Sequence, residues 1–365
     1  MYTQYTLGDV CSRLSSGKSI SASEVTDKGL FPVYGGNGLR GYTDKSNFTG
    51  ECAIIGRQGA FCGNVHYFSG EAYMTEHAVV VCANEEHNTR YLAYLLSQMN
   101  LGRLSGQSAQ PGLSVKTLAK QCINLPPLEI QNKIVSVLAS LDSKIDCNQK
   151  INDNLEQQLH QLFIQTFNGC DTNISLGKVV KTTSGGTPAR KHREYYSNGT
   201  INWVKSKELT GQYLFDTEES LTSLGVAMSS AKILPAHSVL IAMYGATVGE
   251  HGITTKEMAC NQAICALLEN KDYPYTYLFQ IAKENQQNLV NLAIGSAQQN
   301  ISQILLKQLS VHSDVATIHQ YHCLALPLHK EIELLQSENR LLSTTRDALL
   351  PELMTGELDL SSVDF

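Results

Sequence analysis

A chain of 365 residues, with 42% hydrophobic and 17% charged residues, has the composition of a globular protein with room for two or three cores. The formal net charge of −6 argues, taken alone, against a large basic surface for nucleic acid, and no apolar run approaches the length of a membrane span. The start of the chain has no apolar signal-peptide core, and the ten cysteines form no Cys-x-x-Cys pair. We therefore expect a cytoplasmic protein without membrane contact, disulfide framework or bound metal.

The first block of the chain alternates short apolar runs with turn residues. The runs 31–34, 52–55 and 78–82 predict strands, and 90–99 predicts a helix. The stretch GNGLRG at 36–41 spells G-x-G-x-x-G, the pattern of a dinucleotide-binding turn. Such a site needs a helix that opens at the glycines, whereas the residues that follow are turn-rich. We interpret the stretch as a tight loop whose glycines allow close approach to a backbone.

A long helix is predicted for 129–168. Its apolar residues follow one another at alternating steps of four and three, the spacing of a coiled-coil seam. At about 1.5 Å per residue it reaches roughly 55–60 Å, more than one small domain needs, so it requires a partner helix. Two asparagines in the seam are open to two interpretations: exposure near a loose crossing, or a lock on the helix register. The seam residues are Ile134, Leu138, Leu141, Ile145, Asn148, Asn152, Leu155, Leu159 and Leu162.

The second block again predicts strands, at 239–243 and 264–268, and a helix at 275–292. Its most unusual part is the stretch from 178 to 207, which holds seven Lys or Arg against one acid. A charge cluster is most often a solvated face. This one also contains two tyrosines and the only tryptophan of the chain, which favours binding of nucleic acid.

The coiled-coil spacing returns near the end of the chain. Asn339 falls where Asn152 falls in the first long helix. Pro327 lies inside the pattern and predicts that this helix starts or kinks there, and Pro351 is predicted to end its regular part. The second seam comprises Tyr321, Ala325, Leu328, Ile332, Leu335, Asn339, Leu342, Arg346, Leu349 and Leu353.

The order of motifs indicates that the chain is a duplication. The stretch 52–60 matches 239–246, 75–78 matches 260–263, and Ser-Ala-Gln occurs twice, at 108–110 and 296–298. Each block is closed by its own long helix. The period is too long for a solenoid, so a domain-plus-helix unit has been duplicated.

These elements predict an α+β fold in which two domains are joined by two long antiparallel coiled-coil helices in a pseudo-two-fold arrangement. Such a molecule suits a target that is itself roughly two-fold, and duplex DNA is one. The predicted segments are 1–128 (first domain), 129–168 (central helix), 169–315 (second domain) and 316–365 (C-terminal helix and tail).

Catalytic motifs are not found in the sequence. The stretch 12–19 approaches a P-loop but has Ser12 where the first glycine is required, and no G-x-S-x-G elbow occurs. The histidines and cysteines fit no zinc spacing. We therefore expect no catalytic residues and no metal site.

Ten short motifs are spread over nearly the whole chain. They are GGNG (35–38), GY (41–42), GRQGA (56–60), GNV (63–65), LPPLEIQ (125–131), SGGTP (184–188), EYY (194–196), INWVK (201–205), NQ (261–262) and RDALLPELM (346–354). Together they resemble the specificity subunit of type I restriction-modification systems, in which two target recognition domains alternate with two long helices.

The resemblance implies a non-catalytic subunit that reads a bipartite site in double-stranded DNA, one half-site for each recognition domain. It also implies that the long helices scaffold modification (methyltransferase) and restriction (motor-nuclease) subunits. S-adenosylmethionine, ATP and magnesium would bind to those partners, with no cofactor in this chain. The alternative is a coiled-coil adaptor that joins protein partners without touching DNA, which the charge of −6 favours and the basic stretch disfavours.

The candidate DNA contacts lie in predicted loops. Arg57 and Gln58 suit bidentate contacts to guanine and adenine, respectively, whereas the cluster 190–193 suits phosphates. The full set is Asn37, Arg40, Tyr42, Arg57 and Gln58 in the first domain, with Arg190, Lys191, Arg193, Lys205, Lys207 and Tyr244 in the second. The coiled-coil interface is predicted to use Leu138, Leu141, Ile145, Asn152 and Leu155 against Ile332, Leu335, Asn339 and Leu342.

Overall fold

The structure is a computed structural model that describes residues 2–105, 112–294 and 300–360. The chain forms two compact units: unit 1 is Met1–Ile145 with Leu341–Phe365, and unit 2 is Asp146–Arg340. Both Ser-Ala-Gln motifs, at 108–110 and 296–298, lie outside the described residues, as does the tail 361–365.

Unit 1 is built on a six-stranded, mostly antiparallel sheet. Its strands are β1 (Thr3–Thr6), β2 (Cys11–Ser16), β3 (Phe31–Gly35), β4 (Gly38–Thr43), β5 (Phe48–Gly56), β6 (Val65–Met74), β7 (Ala78–Ala83) and β8 (Cys122–Leu125). Its helices are α1 (Thr89–Gln98), α2 (Val115–Ala119), the first part of α3 (Leu128–Thr166) and the end of the last helix, α8 (Val315–Thr355). The sheet order is β2-β7-β5-β6-β3-β4, with β3 and β6 parallel, while β1 and β8 form a separate pair. The predicted strands and helix of the first block are confirmed.

The G-x-G-x-x-G stretch forms a β-hairpin between β3 and β4. Gly36 and Asn37 make the turn, Gly35 pairs with Gly38, and Gly38 has a φ of +87°, which favours glycine. No helix opens at these glycines, so the geometry that a dinucleotide site requires is not present there.

Unit 2 follows the same plan with a larger insertion. Its strands are β9 (Thr172–Ser175), β10 (Lys181–Ser184), β11 (Ile201–Val204), β12 (Tyr213–Leu214), β13 (Ser220–Leu221), β14 (Val239–Ala242), β15 (His251–Thr254), β16 (Ala259–Cys260), β17 (Ile264–Leu268) and β18 (Ser310–His312). Its helices are the later part of α3, α4 (Leu176–Val179), α5 (Ser223–Ala227), α6 (Tyr275–Ile294), α7 (Gln303–Gln308) and most of α8 (Val315–Thr355). The order β10-β17-β14-β15 repeats β2-β7-β5-β6, and β9 with β18 repeats β1 with β8. The duplication is confirmed.

In unit 1 the start of α3 packs against the end of α8. Leu138 on α3 belongs to the same buried core as Leu350 and Leu353 on α8. Asp142 Oδ1 lies 3.1 Å from Nη1 of Arg346. Later residues of α3 thus meet earlier residues of α8, so the helices are antiparallel here, as predicted.

In unit 2 the end of α3 packs against the start of α8. Phe163 lies edge-on to Tyr321 with ring centroids 5.5 Å apart, and Leu159 shares their core with Ile332. The helices are antiparallel in this unit too. Among the residues that the structure describes, no helix is long and apolar enough to cross a membrane.

The predictions that α8 starts at Pro327 and that its regular part ends at Pro351 are wrong, whereas the alternative of a kink at Pro327 stays a prediction. The helix runs without a break from Val315 to Thr355, through Pro327 and Pro351. Each proline lacks the N–H that would bond to the residue four positions earlier, but the prolines and these residues, Cys323 and Asp347, are all exposed. Water can therefore satisfy the freed carbonyls, and apolar packing in both units offsets the lost helical hydrogen bonds.

The two seam asparagines of α3 are buried, so their interpretation as solvent-exposed residues is wrong. Asn148 and Asn152 are 0% and 1% exposed. The amide Nδ2 of Asn148 donates to Oδ1 of Asn339 at 2.9 Å and to a carboxylate oxygen of Glu338 at 2.7 Å. Asn339 therefore contacts Asn148, and a role in setting the helix register stays a prediction.

The other predicted interface residues differ in burial, and their contacts across the seam stay a prediction. Leu138, Ile332 and Leu335 are buried, while Leu141, Ile145, Leu155, Asn339 and Leu342 are half-buried.

Candidate nucleic-acid interface

Main-chain hydrogen bonds hold three loops of unit 1 together. We call these three loops, with the hydrogen bonds that join them, the loop frame. The N–H of Arg57, after β5, donates to the carbonyl of His77 at 2.9 Å. After β2, the N–H groups of Gly17 and Lys18 donate to the carbonyls of Ala78 at 3.0 Å and Met74 at 2.9 Å. The loop after β2, the loop after β5 and the turn between β6 and β7 therefore form one surface.

Unit 2 contains the same loop frame. The N–H of Met243 donates to the carbonyl of Ala263 at 2.8 Å. The N–H groups of Gly185 and Gly186 donate to the carbonyls of Ile264 at 3.3 Å and Cys260 at 2.9 Å. The equivalent residues are thus 17 and 185, 57 and 243, and 78 and 264.

These equivalences correct the repeat alignment by one residue. The turn 75–78 matches 261–264, and not 260–263 as predicted. Strand register sets this match, since Gly56 pairs with Ala78 and Ala242 pairs with Ile264. The side chains of the two turns differ, so the sequence alone does not fix the offset.

Glycine is required at one position of each loop frame. A Cβ added to Gly17 would lie 2.1 Å from the carbonyl oxygen of Met74, and a Cβ added to Gly185 would lie 2.1 Å from that of Cys260. Only a hydrogen atom fits in either place, which explains the glycines of the SSGKS and TSGGT stretches.

The structure brings together three of the predicted DNA contacts of unit 1. A Cβ on Gly36 would lie 3.1 Å from the carbonyl oxygen of His77 and 3.5 Å from the amide nitrogen of Arg57, so the hairpin turn rests on the loop frame. Asn37, in that turn, and Gln58 are exposed, and Arg57 is half-buried. These polar side chains lie on neighbouring loops and could contact one ligand.

Arg40 and Tyr42 lie farther along β4. The Cδ of Arg40 is 2.7 Å from the position of a Cβ on Gly35, which places this side chain over the base of the hairpin turn. Tyr42 is half-buried, and its backbone exchanges hydrogen bonds with Thr26, away from the loop frame. Arg40 therefore lies near the other candidates, and within the described part of unit 1 no hydrogen bond or ion pair links Tyr42 to them.

Arg57 has no carboxylate partner among the residues that the structure describes. Its Nη1 atom lies 3.5 Å from the hydroxyl of Ser16, and neither Arg57 nor Arg40 forms an ion pair with any described residue. Two guanidinium groups of unit 1 thus remain available to an anion or a base edge.

Three of the seven cations of the basic stretch of unit 2 are paired with acids just beyond it. Both Nη atoms of Arg190 donate to Glu219, and Lys205 Nζ lies 2.8 Å from Glu219 and 2.9 Å from Glu218. Lys207 Nζ lies 2.7 Å from Glu218. Hydrogen bonds from Arg190 and Lys205 lower the pKa of Glu219 to about 2, so this carboxylate is charged at neutral pH. In the sequence, these acids appear in the run TEES at 217–220, which lies outside the basic stretch 178–207.

Aromatic rings of this stretch contact the loop frame and Arg190. Trp203 is buried and its indole N–H donates to the carbonyl of Gly186 at 3.0 Å. The guanidinium of Arg190 lies 4.5 Å from the ring centroid of Tyr196 and 5.1 Å from that of Trp203. Lys191 and Arg193 are exposed and have no carboxylate partner among the described residues, so they are the available cations of the predicted set.

The exposed polar groups on the unit 2 loop frame are Tyr244, Thr187 and Gln262. Tyr244 is 42% exposed and precedes Gly245, whose φ of +67° turns the chain. Thr187 Oγ1 donates to Oε1 of Gln262. Tyr244 was predicted as a contact, whereas Gln262 was noted only within the Asn-Gln motif. In residues 2–105, 112–294 and 300–360, no group of three His, Cys, Asp or Glu could hold a metal ion.

Comparison with known proteins places the sequence in a protein family. The sequence model of the family described as the type I restriction modification DNA specificity domain matches residues 2–157 and 172–312. The specificity subunit of the type I restriction enzyme EcoprrI of Escherichia coli is 39% identical over 142 residues, which are 38% of this chain and 35% of that protein. The MjaIX specificity subunit of Methanocaldococcus jannaschii is 26% identical over 302 residues, covering 74% of this chain and 69% of that protein. The chain thus spans about a third of the first relative and about two thirds of the second.

A solved structure shows the same fold. The crystal structure of a type I restriction-modification S subunit from M. genitalium matches with a TM-score of 0.65. The match covers 97% of this chain and 96% of that one at 16% sequence identity.

Proposed function

Because the chain belongs to the family of type I restriction-modification DNA specificity proteins, we propose that it selects the DNA sequence on which such a complex acts. Each unit reads one half of a bipartite site in duplex DNA, and the chain itself catalyses no reaction. The observation that carries this proposal is the loop frame, which occurs in both units with the same main-chain bonds and different side chains. Two similar surfaces with different chemistry suit two different half-sites.

In unit 1 the readers are the side chains grouped at the loop frame. Arg57 has no carboxylate partner among the described residues, so its guanidinium is available for O6 and N7 of a guanine. Gln58, which follows it, presents an amide that matches N6 and N7 of an adenine. Asn37 and Arg40 flank them on the hairpin, where they contact bases or phosphates.

In unit 2 we assign the phosphate contacts to Lys191 and Arg193, the exposed cations of the predicted set that have no carboxylate partner among the described residues. Arg190, Lys205 and Lys207 would have to exchange Glu218 or Glu219 for a phosphate, which costs them an existing ion pair. We infer that these three cations mainly hold the surface in shape.

The long helices provide surface for partner proteins. The seam uses one face of each helix, and within unit 2 large apolar side chains on other faces remain exposed, including Leu334 at 62% and Ile164 at 48%. Exposed apolar groups on a helix suit a protein partner. We propose that modification subunits and restriction subunits dock there and that S-adenosylmethionine, ATP and magnesium bind to those partners.

The alternative, an adaptor that does not contact DNA, has one observation in its favour. Three of the seven cations of the basic stretch in unit 2 are ion-paired, and the net charge is −6. The adaptor predicts no salt-dependent binding to random duplex DNA, with or without the modification subunit. The specificity subunit predicts binding that weakens as salt rises.

The experiment that tests the proposal is a map of methylated sites in genomic DNA. Cells that carry the chain with its modification subunit are expected to show one bipartite motif, with methylated bases in two half-sites separated by a fixed spacer. Cells that lack only this chain should lose the motif. Methylation that persists without the chain, or the absence of any motif with it, would contradict the proposed function.

A further inference from the structure

The turn between β16 and β17 forms part of the reading surface of unit 2. The loop frame joins Ala263 to Met243, so Gln262, directly before Ala263, lies beside the loop that carries Tyr244. Gln262 is exposed, whereas Met243 is only 2% exposed. The side chains that unit 2 presents at this point of the frame are therefore those of Gln262 and Tyr244.

The amide of Gln262 has a hydrogen-bond partner on the neighbouring loop of the frame. The hydroxyl of Thr187, in the loop after β10, donates to its Oε1 atom. A carbonyl oxygen has two lone pairs, so Oε1 can accept one more hydrogen bond, and the Nε2 group keeps both N–H donors. A glutamine bonded in this way offers a donor and an acceptor side by side, the pattern that N7 and N6 of adenine require.

The equivalent position of unit 1 has different chemistry. The corrected alignment places Glu76 where unit 2 has Gln262, and a carboxylate only accepts hydrogen bonds. A difference at this position, within a main-chain frame that does not change, is expected of a residue that distinguishes two half-sites.

We propose that Gln262 contacts an adenine directly in the half-site read by unit 2 and that Thr187 is its positioning residue. This inference rests on the proposed function and adds a specificity determinant to it. A neutral amide attracts phosphate far less than Lys or Arg does, so it is of more use against a base edge.

The test replaces Gln262 by glutamate in the complex with the modification subunits. Gln262→Glu preserves the shape and the acceptor for Thr187, replaces the Nε2 donors with a second acceptor oxygen, and adds one negative charge. The complex acts on a library of bipartite sites with randomised half-sites, and sequencing identifies the methylated molecules. The preference for adenine at one position is expected to fall roughly ten- to a hundredfold, with the other half-site unchanged.

Two further variants serve as controls. One controls for the added charge, and the other tests whether each unit affects only its own half-site. Gln287→Glu adds the same charge at an exposed position of α6 and should leave both half-sites as they are. Gln58→Glu, on the loop frame of unit 1, should alter the half-site that Gln262→Glu leaves unchanged.

Thr187 is tested by substitutions that remove or retain its hydroxyl. Thr187→Val should lower the preference for adenine at the same position, and Thr187→Ser should retain it. A purely structural role would instead reduce methylation of all sequences equally, without rescue by serine.

The outcomes separate this inference from the proposed function. An unchanged base preference in Gln262→Glu, or an equal loss for all sequences, would overturn the contact. A wild-type complex that methylates no bipartite site would overturn the proposed function itself.

Discussion

Arg57 and Lys191 are both cations without a carboxylate partner in the described residues, but their surroundings differ. Arg57 is half-buried at the loop frame, where the main chain fixes its position beside Gln58. Lys191 is exposed on a loop. A half-buried guanidinium suits a base edge, while an exposed ammonium suits the phosphate backbone.

Replacement of Arg57 by alanine is expected to relax the base preference in one half-site only. The lost bidentate contact corresponds to about 1–3 kcal/mol of discrimination against the wrong base. The measurement is the methylation preference of the complex on sites with one half randomised at a time. A uniform loss over both half-sites would show that Arg57 meets a phosphate.

Replacement of Lys191 by alanine is expected to weaken binding to every sequence alike. Each phosphate contact releases about one counterion, so the slope of log K against log salt should become shallower by about one. The matched control is Lys207→Ala, which removes a cation already paired with Glu218 and should change the slope less. Altered base preference in Lys191→Ala would contradict this role.

The candidate site was predictable at the residue level only where a motif carried it. Arg57 and Gln58 lie in a motif and in the loop frame, although their contact with DNA stays a prediction. The pairing of Arg190 with Glu219 was missed because 29 residues separate them, and only the fold brings them together. Gln262 was missed because its importance depends on a main-chain bond between distant loops.

Helix α8 carries a buried histidine in unit 2. His329 is 1% exposed, and its Nδ1 atom lies 2.9 Å from the hydroxyl of Tyr213. Burial lowers the pKa of His329 to about 3, and the charges of His322, Lys283 and His237 act in the same direction. The side chain is therefore neutral in the folded protein at neutral pH.

The free energy of unfolding should fall as the pH decreases from about 6.5 toward 3. In this window the unfolded chain binds a proton at His329 and the folded chain does not, so stability is lost at about 1.4 kcal/mol per pH unit. The measurement is urea unfolding at a series of pH values, followed by the fluorescence of Trp203, which lies in unit 2. His329→Gln should flatten the dependence, whereas His319→Gln, exposed on the same helix, should not. Equal slopes for both variants would contradict the assignment.

At the level of elements, the sequence predicted the regular parts well. The central helix was placed at 129–168 and runs from Leu128 to Thr166, because a long uninterrupted seam leaves little choice of structure. Strands such as β12 and β13 have two residues each and exist only through their neighbours, so local pattern does not reveal them. The prolines of α8 misled the prediction because tertiary packing outweighs the loss of a hydrogen bond.

For the whole molecule, a substitution in the loop frame of one unit is expected to destabilise that unit and not the other. Gly17→Ala places a methyl group against the carbonyl of Met74 and should destabilise unit 1 by at least about 1–3 kcal/mol. Gly185→Ala makes the same clash with Cys260 in unit 2. Hydrogen exchange of the backbone should rise mainly in the strands of the altered unit, with each variant as the control for the other. Faster exchange spread evenly over both units would show that they act as one cooperative body.

The general plan of the molecule was read from its duplicated motifs. The α+β class, the duplication and the antiparallel helices are confirmed, while the two-fold relation between the halves stays a prediction. The point at which each long helix passes from one unit to the other was not predictable from the sequence. The seam pattern is the same on both sides of this point, and only the tertiary contacts of the helices change. Unit 1 takes Leu128–Ile145 of α3, and unit 2 takes the remainder.

The contribution of α8 to unit 1 affects the order in which a nascent chain folds. The core of unit 1 includes Leu350, Leu353 and Leu360, and the hydroxyl of Tyr2 donates to the carbonyl of Leu353 at 3.2 Å. Unit 2, in contrast, is one continuous segment, Asp146–Arg340. The ribosome therefore delivers all of unit 2 before the last strip of the unit 1 core, so the part made first is completed last. Until α8 is made, the apolar side chains of unit 1 that pack against it stay exposed to solvent. Exposed apolar surface of this kind is what chaperones bind.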